Sequence, residues 1–215
     1  MDAGITAARA MPIPTPLPIS WLGLASAPVQ PPAWASIPQL TAVQIHNLQA
    51  QIGYDQSVWN YSMIGANNQL GRYQFSTTLL ESYGLLAPGS NAAHGISCVN
   101  YLHCWRPTYV NSTQNVYQNY FYNITSQANF LATTVAQDHL AYQHIVDLYN
   151  QCVNVGAIKN TDSADVVAGM IYVAWSLGAG NSNSGSGAWA WRYNALGSGI
   201  SSFNSGRYSV LVLSR

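Results

Sequence analysis

Apolar residues keep a helical rhythm over a few stretches of the chain and lose it between them. Leu40, Val43, Leu48 and Ile52 recur on one face, opened by the capping-box pair Thr41-x-x-Gln44 and stopped near Gly53. Ser76 can cap a second helix carrying Leu79, Leu80 and Tyr83, with Gly84 as its stop. The longest pattern runs unbroken from Ser126 to Cys152 through Phe130, Leu131, Val135, Leu140, Tyr142, Ile145, Leu148 and Tyr149, and Gly156 and Asn160 end it. Ser163 or Asp162 then caps a strongly apolar helix over Ala164 to Leu177, with Val166, Val167, Met170, Ile171 and Val173, closed by Gly178-Ala179-Gly180. The spacing predicts a mainly α domain over residues 39–215, with the helices 126–152 and 164–177 packed together at its centre.

The remaining stretches follow other rules. Residues 1–38 hold eight of the ten prolines, which fix φ and remove donors, so this segment is expected to be extended. Trp21, Leu22, Leu24 and Trp34 are large apolar groups without any period, and suit anchors for a partner's grooves. Gln56 to Gln69 is rich in Asn, Ser and Gly and reads as a loop. Residues 87–125 should be irregular with short helical pieces; Tyr101, Tyr109, Tyr117, Tyr120 and Tyr122 fit an interface or a surface that stacks on sugars. Asn181 to Gly187 is a further loop, and Tyr208 to Leu213 could form a terminal strand meeting another subunit.

Charge narrows the choice of partners. Only 7% of the 215 residues are charged, against roughly 25% in ordinary soluble domains, and the net charge is zero with a single lysine, Lys159. A surface so poor in charge is expected to be covered by partners. Seven scattered basic residues make no footprint for nucleic acid, and no apolar run approaches the ~20 residues needed to span a bilayer. Prolines 12, 14, 16 and 18 interrupt any signal-peptide core, and Asp2 sits where its basic segment would be. The sequons at Asn60, Asn111 and Asn123 are therefore expected to carry no glycan, and Cys98, Cys104 and Cys152 to be reduced thiols, although Cys98 and Cys104 could close a short loop in an oxidising environment. His94, Cys98, His103 and Cys104 have metal-binding side chains. However, adjacent ligands at 103 and 104 do not easily reach one tetrahedral ion and no Cys-x-x-Cys pair is present, so no metal or other cofactor is expected.

The candidate chemistry lies in Gln56 to Phe75, QSVWNYSMIGANNQLGRYQF. Ser57, Asn60-Tyr61 and Gly71-Arg72-Tyr73-Gln74-Phe75 fall in the register of a segment in which a helix ends in Glu-Ser, Asn-Tyr follows, and Gly-x-Tyr-Gln-Phe opens the next helix. That segment resembles the active site of the soluble lytic transglycosylases and goose-type lysozymes, in particular their relatives among phage tail lysozymes. Gln137-Asp138, Tyr149, Gly156 and Ala168-Gly169-Met170 are similar to the phage-tail branch. Ala174-Trp175-Ser176-Leu177-Gly178-Ala179-Gly180 resembles a later family segment, Ala-Tyr-Asn-Ala-Gly-x-Gly, with Trp175 and Ser176 in place of Tyr and Asn. The resemblance spans roughly residues 40–210. It implies a mainly α, lysozyme-like domain behind an extended proline-rich N-terminal arm, and a cleft for peptidoglycan lined by Ser57, Asn60, Tyr61, Tyr73, Gln74, Trp175 and Ser176. Tyr73 and Gln74 could equally form a helix-start turn that packs the loop.

Such enzymes cleave between N-acetylmuramic acid and N-acetylglucosamine with one buried carboxylic acid, which gives a proton to the glycosidic oxygen and later takes one back. The family's glutamate position is Gln56 here, and an amide cannot cycle a proton. Asp55 is the alternative acid, although neighbours on a helix point about 100° apart and its side chain is one methylene shorter. The only glutamate, Glu81, lies after the motif and suits a helix surface. The expected role is a structural component of a phage tail or baseplate with a degenerate lysozyme-like domain, assembled in the host cytoplasm and carried in the virion, where the arm binds other subunits. The alternatives are an active virion lysozyme that opens the cell wall during genome injection, and a peptidoglycan binder that does not cleave.

Overall fold

The computed structural model describes residues 31–33, 35–105, 124–190 and 192–193. Trp21, Leu22, Leu24 and Trp34 of the arm, tyrosines 109, 117, 120 and 122, and the segment 208–213 lie outside the described residues. The described chain is mainly helical, and no strand occurs among these residues. The helices are α1 (Ala42–Ser57), α2 (Thr77–Ser82), α3 (Ser90–His94), α4 (Gln127–Ala132), α5 (Thr134–Asn154), α6 (Ala164–Leu177) and α7 (Gly187–Ala190). Short 3₁₀ turns follow α3 at Gly95–Asn100 and Leu102–Cys104. No helix among the described residues is long and apolar enough to cross a membrane.

Helix α1 starts where its capping box stands: Thr41 accepts from the Gln44 amide while the Gln44 side chain accepts from the Thr41 amide. It continues one turn beyond Gly53, through Gln56, and ends only where Val58 turns left-handed at φ 52°. The amides of Val58 and Trp59 fold back onto the carbonyls of Tyr54 and Gly53, which satisfies the helix end without a glycine. Ser76 caps α2 through the Leu79 amide. The long pattern 126–152 is two helices rather than one. Ser126 caps α4, and at Thr133 the backbone leaves the helix (φ −97°, ψ 77°) while the Thr133 hydroxyl donates to the Asn129 carbonyl. This is the local competition that Thr offers to helix bonding. Neither predicted cap of α6 bonds it: Ser163 occupies the N-cap without a side-chain hydrogen bond, and Asp162 is taken by Arg192 and the Lys159 amide.

The core forms where α1, α5 and α6 meet. Ile45, Leu48 and Ile52 of α1 are buried with Leu140, Ile145 and Leu148 of α5 and Val167, Met170 and Ile171 of α6. The last residues before α1 join it, for Ala35 and Ile37 are buried too. The loop between α1 and α2 is a compact knot of backbone bonds: Leu70 and Phe75 exchange both amides at 3.0 Å, and the Gly71 amide reaches Met63 O at 2.8 Å. That knot, pressed between α1 and the start of α5, places the candidate site.

Candidate functional site

Two polar assemblies grow from the Gly71–Phe75 segment, one beneath the surface and one facing solvent. Gly71 takes a left-handed conformation (φ 75°), and a side chain there would run into the Gln137 amide. The close approach lets Gln137 Oε1 accept from the Arg72 amide at 2.9 Å, while Gln137 Nε2 donates to the carbonyls of Tyr61 and Phe130. The turn is therefore fixed to α5 by a single fully buried amide.

Arg72 and Asp138 are both almost fully buried, at 1% and 2% exposed, so each needs compensation inside the protein. Arg72 Nη1 donates to the Tyr61 hydroxyl at 2.6 Å, and that hydroxyl donates onward to the Asp138 carboxylate at 2.9 Å. Tyr73 donates to Asp138 Oδ1 at 2.6 Å, and the guanidinium lies over the rings of Tyr61 and Tyr73. A phenol thus bridges a buried cation and a buried anion. Burial, with the neighbouring Asp138 charge, pushes the Tyr61 phenol up to about 12 and Tyr73 well above its ordinary value. Both remain neutral donors. Ser57 belongs to the same layer: it is buried and donates to Arg72 O at 2.7 Å. Ser57 and Tyr61 hold the loop together and do not line the cleft above it. Asn60 sits beside that layer, bonding Ser62 N and Ser57 Oγ within the loop.

The solvent-facing assembly is a cleft of about 410 Å³. Gln56, Tyr73, Gln74, Trp175 and Ser176 line it, together with Gln69, Phe75, Ser76, Leu79 and His144. The end of α1, the Gly71–Phe75 turn and the end of α6 thus converge on one opening. Trp175 is the half-buried ring of the wall, packed 6.3 Å from Tyr73, 6.1 Å from Phe75 and 4.8 Å from His144, while Tyr73 and Phe75 are almost fully buried behind a mainly polar lining. Gln74 holds a left-handed backbone (φ 52°), an unusual conformation for a residue with a side chain, and its own Nε2 stabilises it by donating to Gly71 O at 2.8 Å. Gln56 is half-buried in this lining, and its side-chain amide has no hydrogen bond to any described residue.

Among the described residues lining the cleft there is no carboxylate. Asp55 is exposed, and its Oδ2 accepts from the Tyr172 hydroxyl at 2.6 Å and from Gln51 Nε2 at 2.9 Å, outside the cleft. The helical turn between residues 55 and 56 aims the two side chains apart. Glu81 is half-buried and accepts from the amides of Gly89 and Asn91, so it ties the loop before α3.

Sequence reasoning missed His144, which shares the cleft wall with Trp175. Tyr83 donates its one hydroxyl proton to Asp147 Oδ2 at 2.5 Å and lies 3.1 Å from His144 Nδ1. The phenol can only accept from the ring, so Nδ1 carries the hydrogen and Nε2 keeps its lone pair. Burial lowers His144 to about 4. The ring is therefore neutral at physiological pH and can accept a hydrogen bond through Nε2. The available signal was His144 and Asp147 three apart on one helix face, behind Tyr83.

His94, His103 and Cys104 also come together, with one ligand atom of each within 4.8 Å of the others. Although adjacent positions 103 and 104 do not easily reach one tetrahedral ion, the 3₁₀ turn Leu102–Cys104 brings a ligand atom of each within 4.8 Å of the other and of His94. No protein-family model, curated protein or solved structure matches the chain.

Proposed function

We propose that this chain is a structural component of a phage tail or baseplate whose lysozyme-like domain keeps a glycan-sized cleft but has lost the acid of the transglycosylases it resembles. The observation that carries this reading is Gln56 in a cleft whose described lining holds no carboxylate. Glycosidic cleavage needs a group that holds a proton at working pH and can release it, which enzymes obtain by raising a glutamate in an apolar site. A glutamine has none to give. His144 does not replace it, since a ring held down to about 4 has already lost its proton at neutral pH. Asp55 is engaged by Tyr172, which weighs against the reading as an active virion lysozyme.

The domain would ride in the virion after assembly in the host cytoplasm, with the proline-rich arm bound to neighbouring subunits ahead of Ala35 and Ile37, which are buried in the domain's own core. The low charge supports such a covered surface. The half-buried Trp175 ring in the cleft lining favours a second reading beside it, retained binding of peptidoglycan without cleavage. Incubating purified protein with insoluble peptidoglycan separates these readings. The proposal expects no soluble muropeptides by mass spectrometry. If glycan is held, co-sedimentation should weaken in Trp175→Ala. Release of muropeptides by the wild type would overturn the degenerate reading.

A further inference from the structure

We propose that His94, His103 and Cys104 form a zinc-binding clamp, separate from the glycan cleft and independent of its function. The three side chains belong to the compact segment between α2 and the end of the second 3₁₀ turn. His94 ends α3, and His103 and Cys104 sit in the turn Leu102–Cys104. The two imidazoles are exposed, whereas Cys104 is buried with 1% of its surface accessible and forms no disulfide.

The geometry fits one small tetrahedral ion. The Nε2 atoms of His94 and His103 lie 3.3 Å apart. Two imidazole nitrogens on one zinc, each about 2.0–2.1 Å from it at a tetrahedral angle, stand about 3.3–3.4 Å from each other. The Cys104 sulfur lies within 4.8 Å of a ring nitrogen of each histidine, and a shared zinc would require side-chain rotation to bring sulfur and nitrogen to roughly 3.6 Å. Tyr101 packs on both rings, 5.0 Å from His94 and 5.6 Å from His103 in a stacked arrangement, so the two nitrogens are held face to face.

The donor set selects the metal class. Two imidazoles and a thiolate match zinc or a similar borderline ion and disfavour calcium or magnesium, which seek oxygen. Because both imidazoles face solvent, a water would complete the fourth position. Cys98 is buried nearby but outside the converging set, so it provides a control thiol. The segment has reason to need a clamp. Its helices of five, six and three residues are too short to be stable by themselves. A metal joining residue 94 to residues 103 and 104 closes that stretch into one unit.

The full-length reduced protein can be titrated with Co²⁺ and then Zn²⁺. One equivalent of Co²⁺ should bind, giving a thiolate-to-cobalt charge-transfer band and intense four-coordinate visible bands, and Zn²⁺ should displace it. His94→Gln and His103→Gln alter exposed side chains and leave folding intact. Each should weaken binding by at least the roughly 10–100-fold that disturbing even an outer-shell partner costs. Cys104→Ser should abolish the charge-transfer band, and Cys98→Ser should keep it. Absence of stoichiometric binding in the wild type would overturn the site and leave an ordinary hydrogen bond between the two rings. Binding that survives both histidine substitutions, or that requires Cys98, would overturn it as well.

Discussion

In the proposed reading, a glutamine at position 56 keeps the length and shape of a glutamate while removing the one property that glycan cleavage needs, and no described residue lining the cleft restores it. His144 shows how strongly the cleft wall disfavours charge. Burial holds the ring at about 4 in the folded protein, against about 6.5 in an unfolded chain. Between these values the unfolded chain binds a proton that the folded one refuses. Stability should therefore fall as pH drops through that window, and the wild type should lose about 2–3 kcal/mol more than His144→Asn between about pH 7 and about pH 4.5. Urea unfolding of both proteins at the two pH values measures the difference, and parallel losses would mean that the ring protonates freely in the fold. Gly71 is the other decisive single residue. Gly71→Ala should cost at least the ~1–2 kcal/mol of a left-handed backbone, and more because it displaces the Gln137 amide that holds Arg72. An unchanged melting temperature would show that the turn relaxes without loss. The glycine of the Gly-x-Tyr-Gln-Phe pattern was legible in the sequence. Its contact with Gln137, 66 positions on, was not, because only folding places α5 against the turn.

Elements carry the rest of the account, and they differ in how openly the sequence showed them. Helix α6 could be read because its apolar run is continuous and glycine ends it. Helix α1 could be read because its capping box is explicit, although its last turn was missed when Gly53 was taken as the stop. That extra turn is what delivers Gln56 to the cleft. The break at Thr133 stayed hidden because apolar spacing continues through it, and only the Thr hydroxyl bond to Asn129 shows the competition. Asp138 shows why a buried layer escapes pattern reading: it sits on the apolar face of α5, where a carboxylate is paired through two tyrosines rather than directly with Arg72. Removing its charge strands the guanidinium, so Asp138→Asn should destabilise by about 3–5 kcal/mol. Chemical denaturation can check this, and a loss under about 1 kcal/mol would show that Arg72 finds other compensation. Met170 is fully buried in the apolar cluster that α6 shares with α5. Met170→Asp should cost on the order of 4 kcal/mol or prevent folding, read in the same assay.

At the scale of the whole molecule, the described residues form a mainly helical body with a largely polar cleft lined by Gln56 and Trp175, in a chain of which only 7% of the residues are charged. In the proposed role the arm fastens the chain to the particle. Deleting residues 1–30 should then prevent incorporation into virions while the helical domain keeps its circular dichroism, and normal incorporation would remove the arm from that role. The central claim is that the cleft lacks only its acid. It is tested most directly by measuring peptidoglycan cleavage for the wild type, Gln56→Glu and Asp55→Asn side by side. A carboxyl at position 56 is nearly isosteric with the amide, and general acid–base groups contribute ~10²–10⁴-fold. The account predicts an inert wild type and a clear gain in Gln56→Glu, provided Trp175 and Ser176 leave the sugar site open. Wild-type cleavage as fast as that of Gln56→Glu, lost in Asp55→Asn, would contradict it and return the catalytic role to Asp55.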